Sequence, residues 1–89
     1  MTSDDARANF EYFSNEYAQA LQAFEAIEKQ ASTLMLMGYT GDLRQFLEQF
    51  LEMASRAKAL AIEKDEQNFA DWFGELLEKA EALRSAVPK

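Results

Sequence analysis

The sequence contains no histidine and no cysteine. These absences remove the commonest general base and metal ligand and the most nucleophilic of the common side chains. Without cysteine the chain also has no disulfide and no thiolate metal site. No glycine-rich phosphate loop or calcium-binding loop occurs either. We therefore expect a protein that is not an enzyme and that has no catalytic residue, no cofactor and no metal site.

Residues that interrupt helices or favour strands are also scarce. The chain has one proline and three glycines, so long helices are not broken. Valine and isoleucine together number three, and threonine adds three more, which is poor material for a sheet. We expect an all-α protein, with residues 1–89 forming a single helical domain.

Positive charge is in short supply. The 9 Lys and Arg residues are outnumbered by 16 Asp and Glu residues, which gives a net charge of -7. Nucleic-acid backbones and anionic membrane surfaces are bound by clustered cations, so we expect no direct nucleic-acid binding and no membrane binding. No stretch approaches the ~18 apolar residues of a membrane span, and the first residues lack the apolar core of a signal peptide. A cytoplasmic location is the expectation.

What the sequence does contain is a row of apolar residues along its first third, which we call the heptad seam. Its spacing alternates between three and four residues, which is typical of one face of a long helix. We predict a helix over about residues 4–37, roughly 50 Å long at the α-helical rise. Gly38 is placed to end it as a left-handed residue, with Tyr39 folding back on Leu34. The heptad seam consists of Phe10, Phe13, Tyr17, Ala20, Phe24, Ile27, Ala31 and Leu34.

A second helix is predicted over about residues 41–64, with Thr40 as its N-cap. Its apolar stripe is wider than the contact with one neighbouring helix requires. The stripe contains Leu43, Phe46, Leu47, Phe50, Met53, Ala54, Ala57, Leu60 and Ala61.

A third helix is predicted over about residues 68–86. The polar residues before it interrupt the apolar stripe, which resumes out of phase at Phe69. Asn68 followed by Asp71 also has the spacing of a helix cap. Gly74, inside this helix, predicts a close crossing by another helix.

These elements predict an antiparallel three-helix bundle with a long first helix. The alternative is that the second and third helices are continuous, giving a long two-helix hairpin that dimerises into a four-helix bundle. In the three-helix bundle the first helix outruns its neighbours and the apolar stripes are wide, so we expect a homodimer in which apolar helix faces meet.

The residues predicted to contact a partner or a second copy lie near both ends of the first helix. Four consecutive large apolar residues, 34–37, surround that helix on every side, and one neighbouring helix cannot cover them all. Aromatic residues near the start of the first and third helices form a second group. The predicted interface residues are Phe10, Phe13, Leu34, Met35, Met37, Tyr39 and Trp72.

Two functions are compatible with these features. The first is a small non-enzymatic protein–protein interaction module, such as an adaptor, a regulator or a chaperone-like protein, whose partner is another protein or a second copy of itself. The alternative is an acidic inhibitor or antitoxin that mimics nucleic acid and blocks a basic site on its partner. A continuous negative face would favour the alternative, and a mixed surface would favour the first.

Overall fold

A computed structural model describes residues 3–87, with side chains from residue 6 onward. It contains three helices, α1 (Ser3–Leu36), α2 (Thr40–Glu63) and α3 (Gln67–Ala86), and no strand within that range. The helices pack against one another, which confirms the predicted all-α three-helix bundle. The helix boundaries lie within one residue of the predicted ones. Because α2 and α3 are separate helices, the alternative of one continuous helix is wrong.

A single apolar core fills the space between the helices. Alanines bring the helices close together at several levels, while phenylalanine and leucine supply most of the buried volume. None of the described side chains that are buried is polar or charged, so the core is held by apolar burial and close packing alone. The fully buried large side chains are Phe13, Leu43, Leu47, Phe73 and Leu76.

Helix α1 sets the length of the molecule. The bundle measures 52 × 17 × 15 Å, and the 34 residues of α1 account for that length at about 1.5 Å per residue. Since α2 has 24 residues and α3 has 20, neither can cover α1 completely. Phe69 lies beside Phe10 and Phe13, so α3 runs parallel to α1 from that level. The last turn of α1 therefore extends beyond α3.

Helix α1 ends as the sequence predicts. Gly38 has a φ of 82°, a conformation that costs glycine little because it has no Cβ. The Tyr39 N–H donates to the Leu34 carbonyl at 2.8 Å, and the Gly38 N–H donates to the Met35 carbonyl at 3.2 Å. These two bonds form a Schellman motif.

The turn between α2 and α3 is built in the same way without a glycine. Asp65 has a φ of 61° and takes the place of the left-handed glycine, which short polar residues tolerate better than most. The Glu66 N–H donates to the Ala61 carbonyl at 2.7 Å, and the Asp65 N–H donates to the Ile62 carbonyl at 3.1 Å. The chain therefore turns at the predicted break in the apolar stripe, and Asp65 in the left-handed conformation forms this turn.

Both predicted helix caps are wrong. The caps are Tyr39 and Glu66, and neither makes a side-chain capping bond. Each residue closes the Schellman motif through its N–H and begins the next helix through its carbonyl, which accepts the N–H of the residue four positions later. Because the turns are this short, Thr40 and Asn68 already lie inside their helices. The carboxylate of Asp71 accepts instead from the Gln67 amide, at 2.9 Å.

The predicted close helix crossing at Gly74 is also wrong. A Cβ placed there would lie 3.3 Å from Nζ and 3.7 Å from Cε of Lys58, and no other described atom outside its own helical turn lies within 4 Å. The end of a flexible lysine side chain therefore covers this point of α3, rather than the backbone of another helix.

Asp65 provides a test of the α2–α3 turn. Asp65→Gly should raise the free energy of unfolding by about 0.5 kcal/mol, because glycine removes the steric cost of the left-handed conformation. Asp65→Ala should lower it by about 0.5–1 kcal/mol for the opposite reason. Urea unfolding followed by circular dichroism measures both. A shift in the same direction for both variants would contradict the assigned turn.

Gly74→Ala should stabilise the protein. Alanine in a helix interior is favoured over glycine by about 1 kcal/mol, and the Lys58 ammonium group can move into solvent to make room. We expect the unfolding midpoint to rise in urea. A fall in the midpoint would mean that Lys58 is held in place and that the contact is a tight one.

Candidate interaction surfaces

The aromatic residues predicted as interface lie together near the start of α1 and α3. Phe10 is exposed but packs edge-on against Phe69, with ring centroids 5.6 Å apart. Trp72 also packs edge-on against Phe69, at 5.2 Å, and contacts Tyr17 at 5.5 Å. Phe13 stacks on the same Phe69 ring at 5.8 Å but is only 1% exposed, so its side chain belongs to the core.

The remaining predicted residues lie at the far end of the bundle. Leu34 and Met35 are partly buried and pack against the core. Beyond them the chain is open, because Leu36 is 88% exposed and Met37 is 62% exposed, with Tyr39 about half exposed. We call the exposed group of Leu36, Met37 and Tyr39 the end patch.

The predicted residues therefore form two surfaces instead of one. Phe10 and Met37 are 27 positions apart on α1 and its C-terminal turn, which corresponds to about 40 Å along the helix. A partner of ordinary size that covers one of these surfaces leaves the other exposed.

A third apolar surface joins the two ends. It lies between α1 and α2, on the side of the bundle away from α3, and we call it the α1–α2 groove. Two hollows of about 360 and 350 Å³ lie along it, and a third of about 290 Å³ extends it toward the start of α1. Its principal apolar side chains are Tyr12, Ala23 and Ile27 from α1 and Phe46, Met53 and Leu60 from α2.

The α1–α2 groove was not among the predicted interface residues, although the sequence carries a signal for it. Phe46, Met53 and Leu60 follow one another at intervals of seven residues, so they share one edge of α2. That edge is the part of the stripe on α2 that exceeds what a single neighbour can bury. Tyr12, another exposed apolar residue of the groove, carries no such signal because it falls outside the heptad seam.

The charges that line the α1–α2 groove balance one another. The charged residues lining its hollows are two acids, Glu16 and Glu52, and two cations, Arg56 and Lys64. Arg56 donates to Glu52 in an exposed ion pair one turn along α2. Since the four charges cancel, the net charge of -7 arises from the rest of the molecule.

Residues 6–87 contain neither a cluster of metal-ligating side chains nor a buried polar side chain. Within the described residues, no group of three or more acidic side chains is placed to hold a metal ion. A ligand pocket orients its ligand through a few buried polar groups, and the buried side chains of residues 6–87 include none. The hollows of the α1–α2 groove are also open to solvent along their length.

No family model, no curated protein and no solved structure matches this chain. None of the three described helices is apolar enough over a sufficient length to cross a membrane.

Phe24 and Met37 lie near the two extremes of burial on α1 and its C-terminal turn. Phe24→Glu should unfold the protein, because a carboxylate would be buried without a partner beside Phe50, whose ring centroid is 5.5 Å away. Met37→Glu should change the free energy of unfolding by less than about 0.5 kcal/mol, as is usual for an exposed position. Circular dichroism and urea unfolding measure both effects. Unfolding of both variants would show that the end patch is part of the core.

Proposed function

We propose that this protein is a small non-enzymatic protein–protein interaction module, such as an adaptor, a regulator or a chaperone-like protein, and that it acts as a homodimer through apolar helix faces. Its partner is then another protein or a second copy of the chain, in the cytoplasm. Nothing in this function requires a cofactor.

The observation that carries the proposal is the amount of apolar side chain left in solvent. A single exposed apolar residue is normal on a protein surface, but contiguous apolar surface on a small protein marks an interaction site. Among residues 6–87, nine large hydrophobic side chains are exposed, and several of them line the α1–α2 groove or form the end patch. Tyrosine, tryptophan and methionine, which are enriched in interfaces, are among them.

The acidic-inhibitor alternative has weaker support. The exposed side of α3 carries four acids, Asp71, Glu75, Glu78 and Glu81, but Lys79 and Arg84 lie on the same helix. A nucleic-acid mimic needs a continuous negative face to occupy a basic groove. Because acids and cations are mixed on α3, the acidic inhibitor has less support than the interaction module, which rests on the exposed apolar surfaces.

The proposal is tested by measuring mass in solution and by capturing partners. Sedimentation equilibrium should show association of the purified protein, and capture from a lysate should retain defined proteins. The same measurements are made on two variants: Met37→Glu, which changes the end patch, and Met53→Glu, which changes the α1–α2 groove. We expect at least one variant to lose association while circular dichroism shows unchanged helix content.

A suitable control is Glu25→Gln, which changes an exposed residue that lines neither surface. It should associate like the original protein. A protein that is monomeric at every concentration and captures no partner would overturn the proposed function, whatever the effect of the variants.

A further inference from the structure

We propose that the α1–α2 groove is the contact between two copies of this chain, packed antiparallel about a two-fold axis that passes close to Met53. This inference rests on the proposed function, because it specifies which helix face makes the homodimer and in which register. The end patch and the exposed aromatic residues Phe10 and Trp72, near the start of α1 and α3, then remain free for other proteins.

The balanced charge of the groove favours a second copy over a basic partner. Two molecules that each carry a net charge of -7 repel one another unless they meet on neutral faces. The hollows of the groove are lined by equal numbers of acids and cations. A basic partner helix would gain no net attraction there, whereas an identical neutral, apolar face would meet no net repulsion.

The sequence of α2 is symmetric about Met53 in a way that fits a two-fold axis. Phe46 and Leu60 are each seven residues from Met53, and Asp42 and Lys64 are each eleven residues from it. Seven and eleven residues are about two and three helical turns, so the four residues within α2 share one edge of that helix, and its C-cap residue Lys64 continues the same edge.

Antiparallel pairing about Met53 therefore matches unlike residues that attract one another. Phe46 of one copy packs against Leu60 of the other, and Asp42 of one copy faces Lys64 of the other. Symmetry makes each contact twice. Asp42 is exposed in the first turn of α2, and Lys64 lines the hollow beside Leu60, so both charges stand at the edge of the apolar contact.

Helix α1 fits the same axis. Tyr12 of α1 shares a hollow with Leu60 of α2, and Phe24 of α1 contacts Phe50 of α2. Because the two helices are antiparallel, residue numbers rise along α1 as they fall along α2. Gln19 therefore lies within about half a turn of the level of Met53. Tyr12 and Ala26 are each seven residues from Gln19. In the dimer the ring of Tyr12 then meets the small side chain of Ala26 from the second copy, and each Gln19 faces its own counterpart.

The geometry and area are those of a stable pair. In this dimer α1 packs on α1 of the second copy and α2 packs on α2. Each of these four helices is then antiparallel to the helices beside it, so the helix dipoles are favourably opposed. The bundle is 52 Å long and 17 Å wide, so one side is large enough to hold the ~800 Å² that each partner buries in a standard interface.

Cysteine cross-linking tests the register directly, because the chain has no cysteine of its own. Met53→Cys should form a disulfide-linked dimer under mild oxidation, since only residues near the axis bring two identical Cα atoms within the ~7 Å limit of a disulfide. Ser55→Cys, an exposed position two residues away on the α3 side of α2, is the matched control and should remain monomeric on a denaturing gel.

The flanking positions give a second, independent measurement. Phe46→Cys alone should not cross-link, because two copies of residue 46 are about 21 Å apart along the antiparallel pair, and Leu60→Cys alone should not either. An equimolar mixture of these two variants should form the disulfide between them.

Charge reversal tests the same register without cross-linking. Asp42→Lys and Lys64→Asp should each raise the dimer dissociation constant about tenfold, because two ion pairs become two repulsions. Mixing the two variants should restore affinity in a heterodimer, in which both pairs are again opposite in charge. Native mass spectrometry separates the three species, and circular dichroism checks that each variant is folded.

Three outcomes would overturn this inference. The first is a protein that is monomeric at all concentrations. The second is a dimer that Met37→Glu abolishes and Met53→Glu leaves intact. The third is a dimer in which Phe46→Cys cross-links with itself while Met53→Cys does not cross-link. The second and third outcomes leave the proposed interaction function standing, whereas the proposed function fails only if capture from a lysate also finds no partner.

Discussion

Burial of the heptad seam on α1 against two helices shorter than itself is the constraint on which the rest of the structure depends. Phe13, Ala20, Phe24 and Ala31 form its buried centre line. A chain of 89 residues buries a modest fraction of its surface, so this line must be covered from both sides. Helices α2 and α3 do so, and the face of α1 opposite the core remains in solvent.

The seam divides between the two covering helices. Tyr17 turns toward α3, where it contacts Trp72 and Phe73, whereas Ile27 turns toward α2 beside Phe46. Aromatic rings make up most of the contact between α1 and α3, whereas the α1–α2 contact combines the Phe24–Phe50 pair with aliphatic side chains and alanine.

The two turns decide how the apolar surface is distributed. Both are closed by the same pair of backbone hydrogen bonds around a left-handed residue, Gly38 in one and Asp65 in the other. Turns this short force antiparallel neighbours and fix the phase of each helix relative to the previous one. Leu36 and Met37 become exposed because the chain reverses immediately after them. The exposed apolar surfaces of this small bundle thus arise from the same turns that close its fold.

The sequence by itself determined the helices, their order and the apolar face of each. The spacing of the apolar residues and the position of Gly38 are local properties of the chain, and so is the scarcity of strand-forming residues. Such properties can be read from the sequence without the structure. Helix caps were misread because Tyr39 and Glu66 act through backbone groups that leave no mark on side-chain type. The crossing at Gly74 was misread because the residue that covers it, Lys58, comes from another helix.

The tertiary structure alone decided which apolar residues face solvent. Phe13 and Phe10 are both members of the heptad seam and both contact Phe69, yet the first is buried and the second exposed. Phe46 and Met53 belong to the predicted stripe of α2, but only the position of α3 on the opposite side leaves their edge open. Periodicity specifies which residues share a helix face, whereas exposure depends on the length and placement of the helices that pack against that face.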